Sequence, residues 1–364
     1  MRFHVNGPPT PDPRPLVIMH RLLIVDDSPY YRMRFSKIFA RSKQLTVAGL
    51  ADDGDVAIKR IIELNPDIVL LDLLMPRMDG FGVLRWAMES HPLPIIVCSS
   101  FSDRDRVFKA LELGAVDFLL KPTPRATQMA SNLEQQMIQR VEEAACAKTL
   151  SATKISPGAK AAVLAAEYEA RGAEVELICI AASTGGPAAI QKLVADLPAS
   201  LSVPIIIVQH MPAGFTRPFA ERLNAMSHYT VREARDEESI KKRHIYVAPA
   251  GKQTTVTGGK AAPMLRVSEK EILNLHTPSA DALFESAAAV YGKRTLAIVL
   301  TGMGEDGARG AETVREAGGH VIAESNETAI VFGMPRSVIE RGCANAMLPL
   351  SAMPSILLAY TLKE

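Results

Sequence analysis

Residues 68–80 read I-V-L-L-D-L-L-M-P-R-M-D-G. A short apolar run that stops at a carboxylate and then meets proline and glycine is the pattern of a buried strand in a parallel sheet. Such a strand is covered on both faces and ends where the chain turns into a loop. Upstream, Leu22 to Val25 forms a second run that closes on Asp26 and Asp27. Thr46 to Gly49, Ile95 to Cys98 and Asp117 to Leu120 supply three more, with helix-like stretches between them, and together they predict a five-stranded parallel α/β sheet. Ser28-Pro29 reads as a cap followed by the first helical position. This places Asp26 and Asp27 at the carboxyl end of the first strand, the edge where open α/β sheets hold ligands.

A second alternation starts at Leu177, with strand-like runs at Leu177 to Ala181, Pro204 to Gln209, His244 to Ala248, Leu296 to Leu300 and His320 to Ala323. It predicts another doubly wound, mostly parallel α/β sheet, and no repeat relates the two halves. Between them Met129, Leu133, Met137 and Val141 recur every four residues, as on one helix face, until Ser156-Pro157-Gly158 breaks the pattern. The expected organisation is a disordered proline-rich arm at 1–19, one domain at 20–124, a partly helical linker at 125–174 that begins as the last helix of the first domain, and a second domain at 175–364. The arm lacks the apolar core of a signal peptide, and Met19 is a second candidate start.

With 41 basic and 40 acidic residues, the chain has no bulk field to draw it onto nucleic acid or an anionic membrane. Its apolar runs are far shorter than the ~20 residues of a membrane helix, so no insertion into a bilayer is expected. Cys98, Cys146, Cys179 and Cys343 form no C-x-x-C pair, which suits unpaired thiols in a reducing cytosol and disfavours a disulfide framework or structural zinc.

Asp26, Asp27, Asp72, Ser99 and Lys121 all fall at strand ends along one edge of the first sheet. Three crowded carboxylates repel unless Lys121 and a hard divalent cation offset their charge, and magnesium is the natural candidate. Asp72 could then attack a phosphoryl donor, its acyl phosphate being held by Lys121 and the Ser99 hydroxyl. This set resembles the response-regulator receiver domain: V-D-D-S at 25–28, L-D-L-L-M-P-R-M-D-G at 71–80, Ser99 and K-P at 121–122. The resemblance implies a flavodoxin-like fold, phosphorylation of Asp72, metal ligation by Asp26, Asp27 and Asp72, and a cis bond at Lys121-Pro122. It also puts Phe118 at a rotameric-switch position, where a plain buried strand residue is the competing reading.

In the second domain, Ser183 lies in A-A-S-T-G-G-P, directly after a strand and before a helix-like stretch from Ala188 to Leu197. Glycines permit the tight turn, and a helix amino terminus offers donors to a developing oxyanion. A phosphate loop could look alike, but its G-x-x-x-x-G-K-[ST] lysine is missing. His210 ends the strand I-I-I-V-Q-H, and Asp306 lies in T-G-M-G-E-D-G after a third strand. A nucleophile, a base and an orienting carboxylate thus arrive on one rim, as acyl transfer needs.

The order Ser, His, Asp and the missing G-x-S-x-G elbow set the domain apart from α/β-hydrolases. It resembles instead the catalytic domain of the chemotaxis protein-glutamate methylesterases, through S-T-G-G at 183–186, Q-H-M-P at 209–212, A-P-A-G at 248–251, T-G-M-G-E-D-G at 301–307 and F-G-M-P at 332–335. That resemblance implies Ser183 as nucleophile, His210 as base, Asp306 as its partner, and backbone amides near Thr184 and Met303 as oxyanion donors. It further implies a cytoplasmic, phosphorylation-activated enzyme acting on a methyl-accepting chemoreceptor, probable deamidation of receptor glutamines, a CheA-type histidine kinase as phosphodonor, and no cofactor for the esterase. Ala181 and the Ser325-Asn326 pair depart from the family pattern. The rival readings are a receptor-binding regulator with little catalysis and a DNA-binding response regulator. His228, His244, His276 and His320 have no comparable motif and read as structural or exposed.

Overall fold

The computed structural model describes residues 19–122, 130–145, 162–163, 165–166, 170, 173–259, 261–269 and 276–361. In the first half, β1 (His20–Val25), β2 (Leu45–Ala51), β3 (Ile68–Asp72), β4 (Ile95–Ser99) and β5 (Asp117–Leu120) form one sheet in the order β2-β1-β3-β4-β5. Every pairing is parallel. Helices α1 (Pro29–Phe39), α2 (Gly54–Leu64), α3 (Gly80–Ser90), α4 (Arg104–Glu112) and α5 (Ala130–Ala145) cover its faces. The chain order reverses between β1 and β3, so Asp26, Asp27 and Asp72 flank the topological switch point, where such sheets open a crevice.

The second half builds a seven-stranded parallel sheet in the order β15-β14-β13-β6-β7-β10-β8. Its strands are β6 (Leu177–Ala182), β7 (Ile205–Gln209), β8 (Thr230–Glu233), β10 (His244–Val247), β13 (Thr295–Val299), β14 (His320–Glu324) and β15 (Ala346–Leu348). Helices α6 (Gly186–Ala195), α7 (Thr216–Ala225), α8 (Ala280–Tyr291), α9 (Ala308–Glu316), α10 (Met334–Glu340) and α11 (Met353–Thr361) pack around it. Here the switch point is at β6, with β7 on one side and β13 on the other, so the loops carrying Ser183, His210 and Asp306 converge.

A separate antiparallel sheet of β9 (Glu238–Ser239), β11 (Lys252–Thr257) and β12 (Met264–Glu269) has no counterpart in the sequence reading. Edge strand β8 buries only Val231, and β11 buries the polar Gln253 and Thr254, so neither presents the apolar run that marked the other strands.

Three local expectations change. Ser28 stands at the N-cap of α1, but its hydroxyl makes no capping bond, and its N–H donates instead to Asp26 Oδ1 at 2.9 Å. Lys121-Pro122 is not cis; the cis bond among the described residues is Thr277-Pro278. Trans is the intrinsic preference of an X-Pro bond, and Lys121 still donates its N–H to Ser99 O at 2.8 Å, continuing the β4–β5 ladder. On α5 the stripe is not a single buried face: Met137, Val141 and Ala144 are buried, whereas Leu133 is 49% exposed. A four-residue step overshoots the helical turn by about 40°, so a strict i, i+4 series walks off the core. Met129, Cys146 and the Ser156–Gly158 break lie outside the described residues, as does the arm up to residue 18. Cys98, Cys179 and Cys343 are free and buried. Among the described residues no helix is long and apolar enough to cross a membrane.

The two sheets meet through aromatic side chains. Phe118 on β5 and Phe215 before α7 are both fully buried, with ring centroids 4.7 Å apart. Phe108 on α4 stacks on Phe219 of α7 at 5.7 Å, and Phe101 meets Phe215 edge-on at 6.0 Å. Burying one phenylalanine is worth roughly 1.5–3 kcal/mol, so this cluster is the apolar seal between the domains. Arg222 of α7 also pairs with Glu112 of α4.

Candidate active site

In the first domain Asp26 and Asp72 are buried, Asp27 is exposed, and one carboxylate oxygen from each lies within 4.8 Å of the other two. Lys121 Nζ is 2.8 Å from Asp72 Oδ2, to which it donates, and 2.8 Å from Asp26 Oδ2. Lys121 thus pairs with both buried carboxylates at once, one ammonium set against the charges of Asp26, Asp27 and Asp72. Burial raises the Asp72 carboxyl to about 6, with Lys121 pulling the other way and the Asp26 charge adding to the rise. An all-oxygen donor set of three carboxylates facing a single ammonium fits a hard divalent cation such as magnesium. Ser99 is buried at the end of the neighbouring strand. Phe118 lies not on a free surface but within the aromatic seal.

In the second domain Ser183 follows β6 and is 9% exposed. Its turn is held by its own N–H donating to Thr301 O at 3.0 Å, and by Gly186 N–H donating back to Ser183 O at 2.8 Å. Gly185 takes φ +79, a conformation most side chains resist, and Gly302 passes so close that an added Cβ would lie 2.8 Å from Ser183 Cβ. Gln209 ties two loops together, donating from Nε2 to Ser183 O at 2.9 Å and to His210 O at 3.0 Å.

His210 Nε2 and Asp306 Oδ2 are 2.8 Å apart. Asp306 accepts three further bonds from the start of α8: Ser279 Oγ at 2.9 Å, Ala280 N at 2.8 Å and Asp281 N at 3.1 Å. Burial opposes its ionisation, but the bond and charge of His210 and the amide donors outweigh it and hold the carboxyl at about 2. An ionised Asp306 is an acceptor, so it favours the His210 tautomer with hydrogen on Nε2, in which Nδ1 is the ring's acceptor. Asp281 caps α9 in return, accepting from Gly307 N and Gly310 N at 2.9 and 2.8 Å. The two helix starts thus lock the Asp306 loop.

Ser183 Oγ makes no hydrogen bond among the described residues, and neither the Thr184 nor the Met303 backbone N–H has an acceptor there. These three groups are therefore free to bond a molecule placed at the turn. Met303 is 43% exposed, whereas Thr184 is fully buried.

Thr184 Oγ1 donates to Glu143 Oε2 of α5 at 3.0 Å, and Arg140 of the same helix donates to His210 O and Phe118 O, each at 3.1 Å. Burial raises Glu143 to about 7, against the bond from Thr184 and the charge of Arg140. Behind the turn, Glu324 is fully buried and accepts from Thr301 N and Thr328 Oγ1, each at 2.8 Å. Thr301 Oγ1 in turn donates to Thr184 O at 2.9 Å.

Sequence reasoning missed these supports. It also assigned His276 no role, yet its ring stacks on His210, centroids 4.5 Å apart at an interplanar angle of 10°. The run Ser279-Ala280-Asp281 carried a cap signal that could have marked the start of α8, and with it the ligands of Asp306. Nothing local distinguished Glu143, Glu324 or His276.

Residues 178–357 match the family model of the CheB methylesterase, and residues 22–147 match that of the response regulator receiver domain. A Geobacter sulfurreducens protein named protein-glutamate methylesterase/protein-glutamine glutaminase 3 is 39% identical over 352 residues, covering 92% of this chain and 95% of that protein. A Bacillus licheniformis protein of the same name, without a number, is 38% identical, covering 95% of this chain and 99% of that one. The crystal structure of the Thermotoga maritima CheB methylesterase catalytic domain aligns with 51% of this chain and 98% of its own at 39% identity and a TM-score of 0.49. With relatives this similar along nearly its whole length, the chain belongs to the CheB methylesterase family, carrying a response regulator receiver domain ahead of the methylesterase domain.

Proposed function

We propose that this chain hydrolyses glutamate γ-methyl esters on the cytoplasmic helices of a methyl-accepting chemoreceptor, removes the side-chain amide of receptor glutamines, and is controlled by phosphorylation of Asp72. The observation that carries the chemistry is the His210–Asp306 pair, its carboxylate saturated with donors, beside a Ser183 turn whose hydroxyl and neighbouring N–H groups are unengaged. Ser183 Oγ attacks the γ-carbonyl carbon as its proton passes to His210 Nδ1. The Thr184 and Met303 amides receive the oxyanion, and His210 returns the proton to the departing methoxide, giving methanol and an acyl-serine. Water then attacks the acyl-serine by the same route and frees the glutamate carboxylate and Ser183. With a glutamine the departing group is ammonia, which makes protonation by His210 the more demanding step.

Asp26, Asp27 and Asp72 would hold the magnesium ion, which when bound supplies positive charge for phosphoryl transfer. Asp72 takes the phosphoryl group from a CheA-type histidine kinase, and Lys121 and Ser99 turn toward it. The inhibited state is supported by the aromatic seal around Phe118 and Phe215, and by Arg140 and Glu143 grasping the loops of His210 and Thr184. Phosphorylation loosens that grasp and opens the rim to a receptor helix. The test is methanol release from a methylated receptor fragment by the full chain, with and without acetyl phosphate. Release that rises with the phosphodonor is expected; no release in either condition overturns the assignment.

A further inference from the structure

We propose that His276 is a positioning residue of the Ser183–His210–Asp306 site, its imidazole forming a stacking face that holds the His210 ring plane and supports the imidazolium created by proton transfer. The inference rests on the esterase reading above and adds a residue to it. His210 is fixed at one edge by Asp306 at 2.8 Å and on one face by His276, whose ring is within 10° of parallel at 4.5 Å. An edge contact alone leaves the ring free to tilt about the Nε2–Oδ2 line, which would swing Nδ1 relative to Ser183. A parallel ring on its face removes that freedom.

Both restraints come from one segment. His276 O accepts from Gln253 Nε2 at 2.9 Å, and Gln253 Oε1 accepts from Ser279 N at 2.8 Å. Ser279 Oγ then donates to Asp306 at 2.9 Å. Gln253 is itself buried, and Thr277 O is held by Gly251 N at 3.1 Å. The buried amide of β11 therefore sets the height of the stacking ring and of the carboxylate together.

The charged or titratable groups facing His276 among the described residues are His210 and Asp306. Two imidazolium rings at 4.5 Å would repel, and one Asp306 carboxylate balances only one of them. His276 is exposed at the rim; partial desolvation and the neighbouring His210 lower its pKa while Asp306 acts in the opposite sense, and a charge arriving on His210 disfavours a second one on His276. A neutral aromatic face beside a transient cation is a cation–π arrangement.

The full chain with acetyl phosphate is assayed for kcat and KM on a receptor fragment bearing glutamate γ-methyl esters, as the parent, His276→Leu, His276→Phe and Ser183→Ala. Leucine keeps comparable bulk without a π face, and phenylalanine keeps the face without a titrating group. We expect His276→Leu to lower kcat by between about 2- and 30-fold with KM little changed, the range a cation–π contact supports, and His276→Phe to recover most of that loss. Parental kcat in the leucine variant overturns the proposal, and so does an equal loss in both variants. A parent no faster than Ser183→Ala overturns the esterase reading instead.

Discussion

The hydroxyl of Thr184 donates a 3.0 Å hydrogen bond to the carboxylate of Glu143, joining the residue after Ser183 to a helix of the other domain. Both residues are buried, and one turn away Arg140 holds the His210 carbonyl. The same guanidinium binds Phe118 O on the strand that ends at Lys121. A continuous set of contacts therefore leads from Asp72 through Lys121, β5 and Arg140 to the loops of Ser183 and His210.

Replacing Ser183 or His210 by alanine is expected to reduce methanol release by at least about 10³-fold, the two losses combining without adding because the groups act as a unit. Phosphorylation of Asp72 should be unaffected in both variants, since its pocket is on the other sheet. Parallel measurement of methanol and of phosphate incorporation from labelled acetyl phosphate checks both halves.

The aromatic seal is accessible to a mild change at Phe101, which is 50% exposed and meets Phe215 at its edge. Phe101→Ser is expected to raise the unphosphorylated rate by between about two- and tenfold, the worth of one aromatic pair. A phosphodonor should raise the parental rate roughly 30- to 100-fold if the closed form is favoured by ~2–3 kcal/mol, and Asp72→Ala should not respond. Rates of the three proteins on one receptor fragment decide it, and an unchanged Phe101→Ser rate counts against the seal.

Glu324 links stability to pH. Burial raises its carboxyl from 4.5 to about 7, opposed by its bonds from Thr301 and Thr328. Between these values the folded chain keeps a proton that the unfolded chain releases, so this contribution to stability is full below about pH 4.5 and is lost as pH rises through about 7. Glu324→Gln stays neutral and retains an acceptor for Thr301. Its stability relative to the parent should therefore climb from pH 5 to pH 8 by an increment on the order of a few kcal/mol, read as a rising difference in melting temperature. Calorimetry at both values tests the sign.

Metal removal should separate the domains' chemistry. Excess chelator is expected to stop phosphate incorporation at Asp72 and the activation that follows. The basal methanol release of the full chain should persist on the proposed mechanism, since a serine, histidine and aspartate site works without a cation. Loss of basal release in a chain that remains folded by circular dichroism would contradict this.

Much of the architecture was legible because buried parallel strands leave a strong local signature. Leu22–Val25, Ile68–Leu71, Ile95–Cys98, Ile205–Val208 and Leu296–Leu300 are apolar runs with no exposed face; the first four lie within strands of the two sheets, and the fifth runs one residue past the end of β13. The residues that close them were legible for the same reason: at the carboxyl end of a parallel strand, a polar side chain has only the rim to occupy. Thus Asp72, Lys121, Ser183 and His210 could be assigned to rims from sequence position alone.

What sequence could not carry was anything made by residues far apart in the chain. The ligands of Asp306 come from the start of α8, 25 to 27 residues earlier, and Glu143 reaches Thr184 from 41 residues away. Strand β11 was invisible because two of its three buried positions, Gln253 and Thr254, are polar, and Gln253 is satisfied by partners far along the chain, the His276 carbonyl and the Ser279 amide. Local pattern determined where each strand ends and which chemistry stands there. Tertiary packing alone decided that Phe118 would be sealed against Phe215, that Asp306 would be ionised by four converging donors, and that His276 would cover His210, since burial and hydrogen bonding at a rim depend on loops that meet only when both sheets have formed.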